Sequence, residues 1–221
     1  MNGNGEKQPK TFLSVVNNIW YYYKWHIIIG LCAVIMFTIA SVQYFSKVEP
    51  DVFFYYVGQS SATAKDIEEF CDDMQNIMPK DYNGDGNKKV DYKEDIFVMY
   101  SIEDGASTGS YVYNSTDQLD IVKRFNMELG MGECLIYIME PNLFSANTDY
   151  FAPLDSVLDK VHENALSGKG IKLSDLGAYR KTALSSFPSD YVICLRAKRS
   201  GDDADFYNAN ADFFKALTAY R

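Results

Sequence analysis

The longest apolar run in the chain lies near its start, from His26 to Phe45, and it contains no charged side chain after its first residue. About 20 residues at a rise of roughly 1.5 Å form a helix that crosses the roughly 30 Å hydrocarbon core of a bilayer. The preceding segment, Ile19 to Trp25, carries five tyrosine and tryptophan rings, which favour the headgroup region. The pattern predicts one transmembrane helix near the N-terminus.

The charges beside this predicted span indicate its orientation. Lys7, Lys10 and Lys24 precede the span, whereas Lys47 after it is soon followed by acidic residues. Because basic residues are retained on the cytoplasmic side, we expect a cytoplasmic N-terminus and an extracellular remainder. The predicted organisation is a cytoplasmic segment with an aromatic interfacial cluster, a transmembrane helix, a short linker and an extracytoplasmic domain, at residues 1–25, 26–45, 46–50 and 51–221.

Two forms of processing are alternatives to an intact anchor. A cleaved signal peptide has a shorter leader and a small-x-small exit, of which Thr38 to Ser41 is a partial version. A lipid-modified cysteine needs a small residue before it, but Cys32 follows Leu31. We therefore interpret Cys32 as an apolar residue within the span.

Four short and nearly continuous apolar runs follow the span, and they predict strands. Strands that are buried on both faces have this pattern, whereas half-exposed strands alternate. The predicted strands are residues 52–57, 96–100, 134–139 and 191–195.

Apolar residues with a helical period lie between these runs. In the clearest amphipathic segment Thr63 and Asp66 have the spacing of a capping box, and Pro79 follows the last turn. The predicted helices are residues 63–78, 117–129, 154–165 and 205–219. The order of strands and helices predicts an α/β domain, a single lobe with a mixed, mostly parallel sheet and helices on both faces.

Composition narrows the classes of partner. The chain has 221 residues, and 29 acidic and 18 basic side chains follow the span, a net charge of −11. Such a surface excludes nucleic acid and anionic lipid as favoured partners of the domain. Cys71, Cys134 and Cys194 lie in apolar patterns without close spacing, so we expect them to fill the core rather than form disulfides or a zinc site.

The segment Asp81 to Asn87, DYNGDGN, carries oxygen side chains at alternate positions and then a glycine. This pattern matches the first half of a calcium loop, in which a hard cation takes six to eight oxygen ligands. The predicted structural Ca²⁺ ligands are Asp81, Asn83, Asp85, Asn87 and Asp91.

The second half of this segment departs from the calcium-loop pattern. Lys89 stands at position 9, and Tyr92 stands at position 12, where a bidentate carboxylate is expected. Asp91, Glu94 or Asp95 would complete the shell if the loop is longer, whereas Lys88 and Lys89 weaken cation binding electrostatically. The alternative interpretation is a polar turn of Asx and Gly residues without a metal.

Several of these segments together carry a resemblance. YYYKWH, the span, Pro50-Asp51, DYNGDGN, GECLIY and YVICLR resemble a group of small, uncharacterised, membrane-anchored bacterial proteins. Their outer part is similar to one lobe of a type II extracellular solute-binding protein. The resemblance implies that Glu140 to Phe144 and Phe151 to Asp155 form a cleft wall and an adjoining loop. A complete binding protein has two lobes, whereas this chain has room for one.

Other residues give weaker indications of a functional site. The only histidines are His26, at the membrane edge, and His162, beside Glu163 in a predicted amphipathic helix, so histidine-dependent nucleophilic or zinc chemistry is not expected. Three segments are interpreted as turns, loops or helix caps, at residues 105–110, 114–116 and 168–170. Arg196, Lys198 and Arg199 are expected to form a solvated basic edge after the last strand.

These observations favour a non-catalytic, membrane-tethered binding or interaction module, accessory to a transporter or an envelope complex. Its expected partners are the lipid bilayer, through the N-terminal helix, and a membrane protein or a small solute. One alternative is a metal-dependent surface enzyme that uses Asp81, Asn83 and Asp85. A purely structural envelope component is the other.

Overall fold

The computed structural model describes residues 12–45, 49–97, 99–101, 111–113, 118–160 and 163–220. The chain divides into two compact units, Met1–Lys47 and Val48–Arg221. The first unit contains α1, a 34-residue helix, Phe12–Phe45. Its segment Trp20–Val42 is long and apolar enough to cross a membrane, and none of it is buried. The predicted apolar helix near the N-terminus is thus confirmed. By length and composition it fits either a membrane anchor or a signal sequence.

The second unit is built on a mixed five-stranded sheet in the order β2-β1-β5-β7-β6. Strands β1, β2 and β5 are parallel to one another, whereas β7 is antiparallel to both of its neighbours. A separate antiparallel pair is formed by β3 and β4. The strands are β1 Val52–Gly58, β2 Val90–Ile96, β3 Met99–Ser101, β4 Tyr111–Tyr113, β5 Ile136–Met139, β6 Gly170–Lys172 and β7 Val192–Leu195.

Helices cover both faces of this sheet, as the sequence predicts. The further α-helices are α2 Ala64–Ile77, α3 Leu119–Met131, α4 Pro141–Ala146 and α5 Ala204–Ala219. Helices α2 and α5 share one buried cluster with Phe54 and Tyr56 of β1. Helix α3 shares the other cluster with Tyr55 and Val57. Successive side chains of a strand point to opposite faces, so the continuous apolar run of β1 serves both cores.

Local sequence signals fix the ends of α2. The Thr63 hydroxyl accepts a hydrogen bond from the Asp66 amide at 3.2 Å, and an Asp66 carboxylate oxygen accepts one from the Thr63 amide at 3.3 Å. This reciprocal pair is the predicted capping box. The helix ends at Ile77, before Pro79, which lacks the amide hydrogen needed to continue it.

The predicted strand at 96–100 is confirmed only in part, because Ile96 ends the more polar strand β2, Met99 and Tyr100 belong to β3, and Phe97 lies in neither strand. Strand β2 lies at the edge of the sheet. Its residues Val90, Tyr92 and Ile96 contact the core of α2 and α5, while Asp91, Lys93 and Asp95 point to the other face. An edge strand that buries one face does not need a continuous apolar run.

The predicted helix at 154–165 is also wrong. Only Leu154–Ser156 is helical there, as a single 3₁₀ turn, and the other described residues of this range form turns and irregular backbone. The Leu154 amide donates to the Gly168 carbonyl at 2.8 Å, and the Ser156 hydroxyl donates to the Pro153 carbonyl at 2.6 Å. The Val157 and Leu158 amides donate to the Leu154 carbonyl at 3.2 and 2.7 Å, but the helix does not continue beyond this turn.

The three cysteines of the domain are free thiols. Cys134 and Cys194 are buried, and Cys71 is half-buried against the core. Their predicted role as core residues is confirmed.

Candidate functional site

A cleft of about 620 Å³ lies between the edge strand β2 and helix α3, and we call it the β2–α3 cleft. It forms because α3 places Phe125 and Leu129 in the core, so the adjoining stripe of the helix faces the edge of the sheet. The cleft is lined by Tyr55 of β1, Lys93, Glu94 and Asp95 of β2, Arg124, Met127, Glu128 and Met131 of α3, and Gly132.

A buried carboxylate organises the floor of the cleft. Asp95 is 4% exposed, and one of its oxygens accepts a hydrogen bond from the Tyr55 hydroxyl. The other oxygen accepts from Nη2 of Arg124 at 2.6 Å and from Nε at 3.1 Å. Burial and the hydrogen bond to Asp95 raise the pKa of Tyr55 well above its ordinary value, so the hydroxyl remains a donor. Since both carboxylate oxygens are engaged, Asp95 positions Arg124 and Tyr55 and is not a free base.

Glu128 closes one end of the cleft. Its Oε1 accepts a hydrogen bond from the Cys134 amide at 2.8 Å. A Cβ added at Gly132 would lie 2.6 Å from the backbone carbonyl oxygen of Glu128, which cannot swing away as a side chain can, so this close approach requires a glycine at position 132.

The rim of the cleft is apolar and exposed. Met127 is 62% exposed and Met131 is 84% exposed, and both belong to α3. Methionine side chains are flexible and polarisable, and they are common on surfaces that bind partners of varied shape. The cleft therefore combines an apolar rim with a floor whose polar groups are held in place by hydrogen bonds.

The predicted calcium segment forms a tight loop between α2 and β2. Oδ1 and Oδ2 of Asp81 accept hydrogen bonds from the amides of Gly84 at 2.8 Å and Gly86 at 2.7 Å. Asn83 and Asp85 each accept from the amide two residues ahead. Gly84 and Gly86 have φ values of +75° and +88°, which favour glycine. Desolvation alone would raise the pKa of Asp81, but the amide hydrogen bonds hold it below its ordinary value.

Four of the five predicted ligands, Asp81, Asn83, Asp85 and Asn87, belong to this loop. The fifth, Asp91, lies in β2, where its Oδ1 accepts from the Tyr92 amide at 2.9 Å. Among the described residues no group of three or more His, Cys, Asp or Glu side chains is placed to hold a metal ion.

The loop is supported by Asp51, a buried residue that the sequence analysis did not select. Oδ1 of Asp51 accepts from the amides of Tyr82 at 2.8 Å and Asn83 at 2.9 Å, and Oδ2 accepts from the Lys89 amide at 2.9 Å. The side chain of Asn83 also donates to the Glu49 carbonyl at 2.7 Å. Asp51 thus fixes both ends of the loop to the start of β1.

The interpretation of Arg196 as part of a solvated basic edge is wrong. Arg196 is 2% exposed, and its Nη2 donates to Oδ1 of Asp202 at 2.8 Å. The other two basic residues lie against rings, Lys198 at 5.5 Å from the Tyr207 centroid and Arg199 at 5.6 Å from that of Tyr150. Aromatic and carboxylate partners fold this short segment back onto the domain.

The remaining candidates contribute little to a site. His26 lies in α1, with its ring 6.2 Å from that of Tyr23. Gly168, with a φ of +65°, belongs to a turn. His162, residues 105–110 and residues 114–116 lie outside the described residues.

The sequence does not predict the network of Tyr55, Asp95 and Arg124. Asp95 stands between polar residues and the apolar pair Ile96-Phe97, and acidic residues at such a border are mostly exposed. No local signal therefore marks its burial.

Comparisons with protein-family models, with curated proteins and with solved structures find no match for this chain.

Proposed function

We propose that this chain is a membrane-anchored, non-catalytic interaction module that docks a partner at the β2–α3 cleft. Helix α1 is the anchor, and the domain that follows it works outside the membrane, accessory to a transporter or an envelope complex. The observation that carries the proposal is the exposed methionine rim of the cleft, Met127 and Met131.

The apolar rim limits the free energy that the cleft contributes to binding a partner. Full burial of a methionine side chain contributes roughly 1.5–3 kcal/mol. Two such side chains supply roughly 3–6 kcal/mol, which reaches only the low end of the roughly 4–15 kcal/mol that free association of two proteins costs. A partner in the same membrane has already lost part of its translational freedom, so tethering makes a small apolar rim sufficient.

The polar floor of the cleft determines the orientation in which a partner binds. The guanidinium of Arg124 is held by Asp95 on one side, while the side chain as a whole is 63% exposed. A fixed, exposed guanidinium loses little conformational freedom when it donates to a partner. The cleft therefore favours a partner that presents an apolar group beside a hydrogen-bond acceptor.

Site-specific photo-cross-linking in native membranes tests this proposal. A cross-linking amino acid replaces Met131 in the full-length chain, and a matched variant carries it at the exposed residue Glu68 of α2. We expect a discrete adduct from position 131 only, lost when Met127→Lys places a charge on the rim. Equal labelling from both positions, or adducts that ignore Met127→Lys, would refute docking at the cleft.

The proposed orientation has its own test. Reporter fusions at the two ends of the full-length chain are expected to show a cytoplasmic N-terminus and an external C-terminus, with both ends retained on one polypeptide. A mature chain that lacks the N-terminal reporter would identify α1 as a cleaved signal sequence instead.

We also propose that the loop from Asp81 to Asn87 binds Ca²⁺ as a structural ion. Asp81 and Asp85 supply hard oxygen donors, and Nζ of Lys88 is turned away to the Met78 carbonyl at 2.6 Å. Millimolar CaCl₂ is expected to raise the Tm of the full-length protein in detergent. Asp85→Ala should abolish the shift, and Asp72→Ala on the exposed face of α2 should retain it. A wild-type protein that responds equally to CaCl₂ and NaCl at matched ionic strength would refute the calcium proposal.

A further inference from the structure

Two buried polar side chains lie together between the sheet and α3, away from the rim of the cleft. Arg196 follows β7 directly, and Tyr137 is the second residue of β5. Tyr137 pairs in register with Cys194, so Arg196, two residues beyond, points to the same face of the sheet. Phe151 joins them, because it forms a β-bridge with Arg196 and its ring lies 5.6 Å from that of Tyr137.

The hydrogen bonds of these two side chains are incomplete. Nη2 of Arg196 donates to Asp202 and also approaches the Gly132 carbonyl at 3.5 Å. Within the described part of the chain, Nε and Nη1 of Arg196 and the hydroxyl of Tyr137 are buried and have no hydrogen-bond partner. Buried polar groups without a protein partner are normally bonded to ordered water or an ion, because leaving them unpaired is costly.

The charges and side chains around Arg196 favour water over an ion at these unpaired groups. Asp202 already neutralises the guanidinium, so a further anion would place an uncompensated charge among Phe151, Cys134 and Cys194, all of which are buried. The N–H bonds of Nε and Nη1 also point in different directions, so one carboxylate or phosphate cannot accept from both. Water accepts from each of them separately, and it both donates to and accepts from a tyrosine hydroxyl.

We propose that Arg196 and Tyr137 form an internal hydration site, in which ordered water molecules accept from Nε and Nη1 and bond the Tyr137 hydroxyl. The Arg196 guanidinium joins the Gly132 carbonyl, before β5, to Asp202, before α5. The proposed water satisfies the remaining N–H groups of that guanidinium. The site therefore stabilises the packing of the segment between β7 and α5 against the sheet.

Paired Tyr→Phe substitutions in the full-length protein in detergent test the proposal. Tyr137→Phe removes the hydroxyl without changing the packing of the ring. The matched variant is Tyr179→Phe, since the Tyr179 hydroxyl donates to the Phe187 carbonyl at 2.9 Å. If Tyr137 is bonded to water, both variants lower the Tm by about 2–4 °C, the shift for one lost hydrogen bond in a domain of this size.

An unchanged or higher Tm for Tyr137→Phe would overturn the proposal, because removal of an unpaired buried hydroxyl does not destabilise. Replacement of chloride by gluconate at constant ionic strength is expected to leave the wild-type Tm unchanged. A chloride-dependent Tm that Arg196→Met abolishes would assign the site to an anion instead. A crystal structure of the full chain should show water within hydrogen-bond distance of Nε, Nη1 and the Tyr137 hydroxyl.

Discussion

Substitution of Asp51, which is 2% exposed, by alanine is expected to destabilise the domain strongly. Its carboxylate accepts three backbone hydrogen bonds at 2.8–2.9 Å, from Tyr82, Asn83 and Lys89. These donors lie 31–38 residues from Asp51 along the chain. The side chain thus replaces a stretch of regular secondary structure that would otherwise pair these amides.

The expected loss of unfolding free energy depends on the burial of the Asp51 carboxylate and on the exposure of the loop. Hydrogen bonds to a charged group contribute about 1.5–3 kcal/mol each. Residues 83–88 of the loop are exposed, so water replaces some of the hydrogen bonds that the substitution removes. At about 1 kcal/mol per bond, Asp51→Ala costs about 3 kcal/mol, which corresponds to a fall in Tm of about 6–12 °C. Asp51→Asn keeps one acceptor oxygen and loses the bond from Lys89, so about 1–2 kcal/mol is expected.

The assay is equilibrium denaturation of the full-length protein in detergent, followed by circular dichroism, with calcium held constant. Glu68→Ala on the exposed face of α2 is the matched control for removal of a carboxylate, and its cost should stay below about 0.5 kcal/mol. If Asp51→Ala and Glu68→Ala give the same unfolding free energy, the loop is held by other contacts and the argument from Asp51 fails.

Three further predictions concern stability. Thr63→Ala should lower the unfolding free energy by about 1 kcal/mol through loss of the α2 cap, and denaturation against Thr63→Ser checks this. Arg124→Ala should cost about 1–3 kcal/mol because Asp95 stays buried with one partner fewer, and a cycle with Asp95→Asn isolates the pair. Although burial alone would raise the pKa of Asp202, hydrogen bonds from Arg196 and a backbone amide lower it. Its stabilisation is therefore complete above the unfolded pKa of about 3.9 and lost as pH falls through the folded value; Asp202→Asn should flatten this acid limb of a pH titration.

The parts of the fold that the sequence predicts are those with dense local signals. The capping pair Thr63 and Asp66, an amphipathic stripe and Pro79 all lie within one segment, so α2 is determined by its own residues. Strand β1 is predicted equally well, because burial on both faces leaves a continuous apolar run. In both elements the sequence period and the tertiary environment agree.

The wrong predictions occur where tertiary contacts override the period. The range 154–165 has helical spacing, yet Leu154 bonds its amide to Gly168 and the chain turns. Strand β2 has the composition of a polar loop, and its pairing with β1 makes it a strand. In each case the deciding partner lies elsewhere in the chain, and no window of local sequence contains it.

The β2–α3 cleft is of this second kind, which explains why its residues were not predicted as a site. Asp95 meets Arg124 across 29 residues and Tyr55 across 40. A local motif such as DYNGDGN is visible because its residues are adjacent, whereas the cleft is assembled from three separate elements. Asp95 is one of the domain's buried carboxylates, with Asp51 and Glu140, and its burial depends on how α3 lies beside β2. Exposed methionines on one helix become informative only when the neighbouring strand places an ordered polar floor beside them. The sequence therefore predicts the apolar N-terminal helix, whereas the cleft at which we propose that a partner docks is visible only in the folded arrangement.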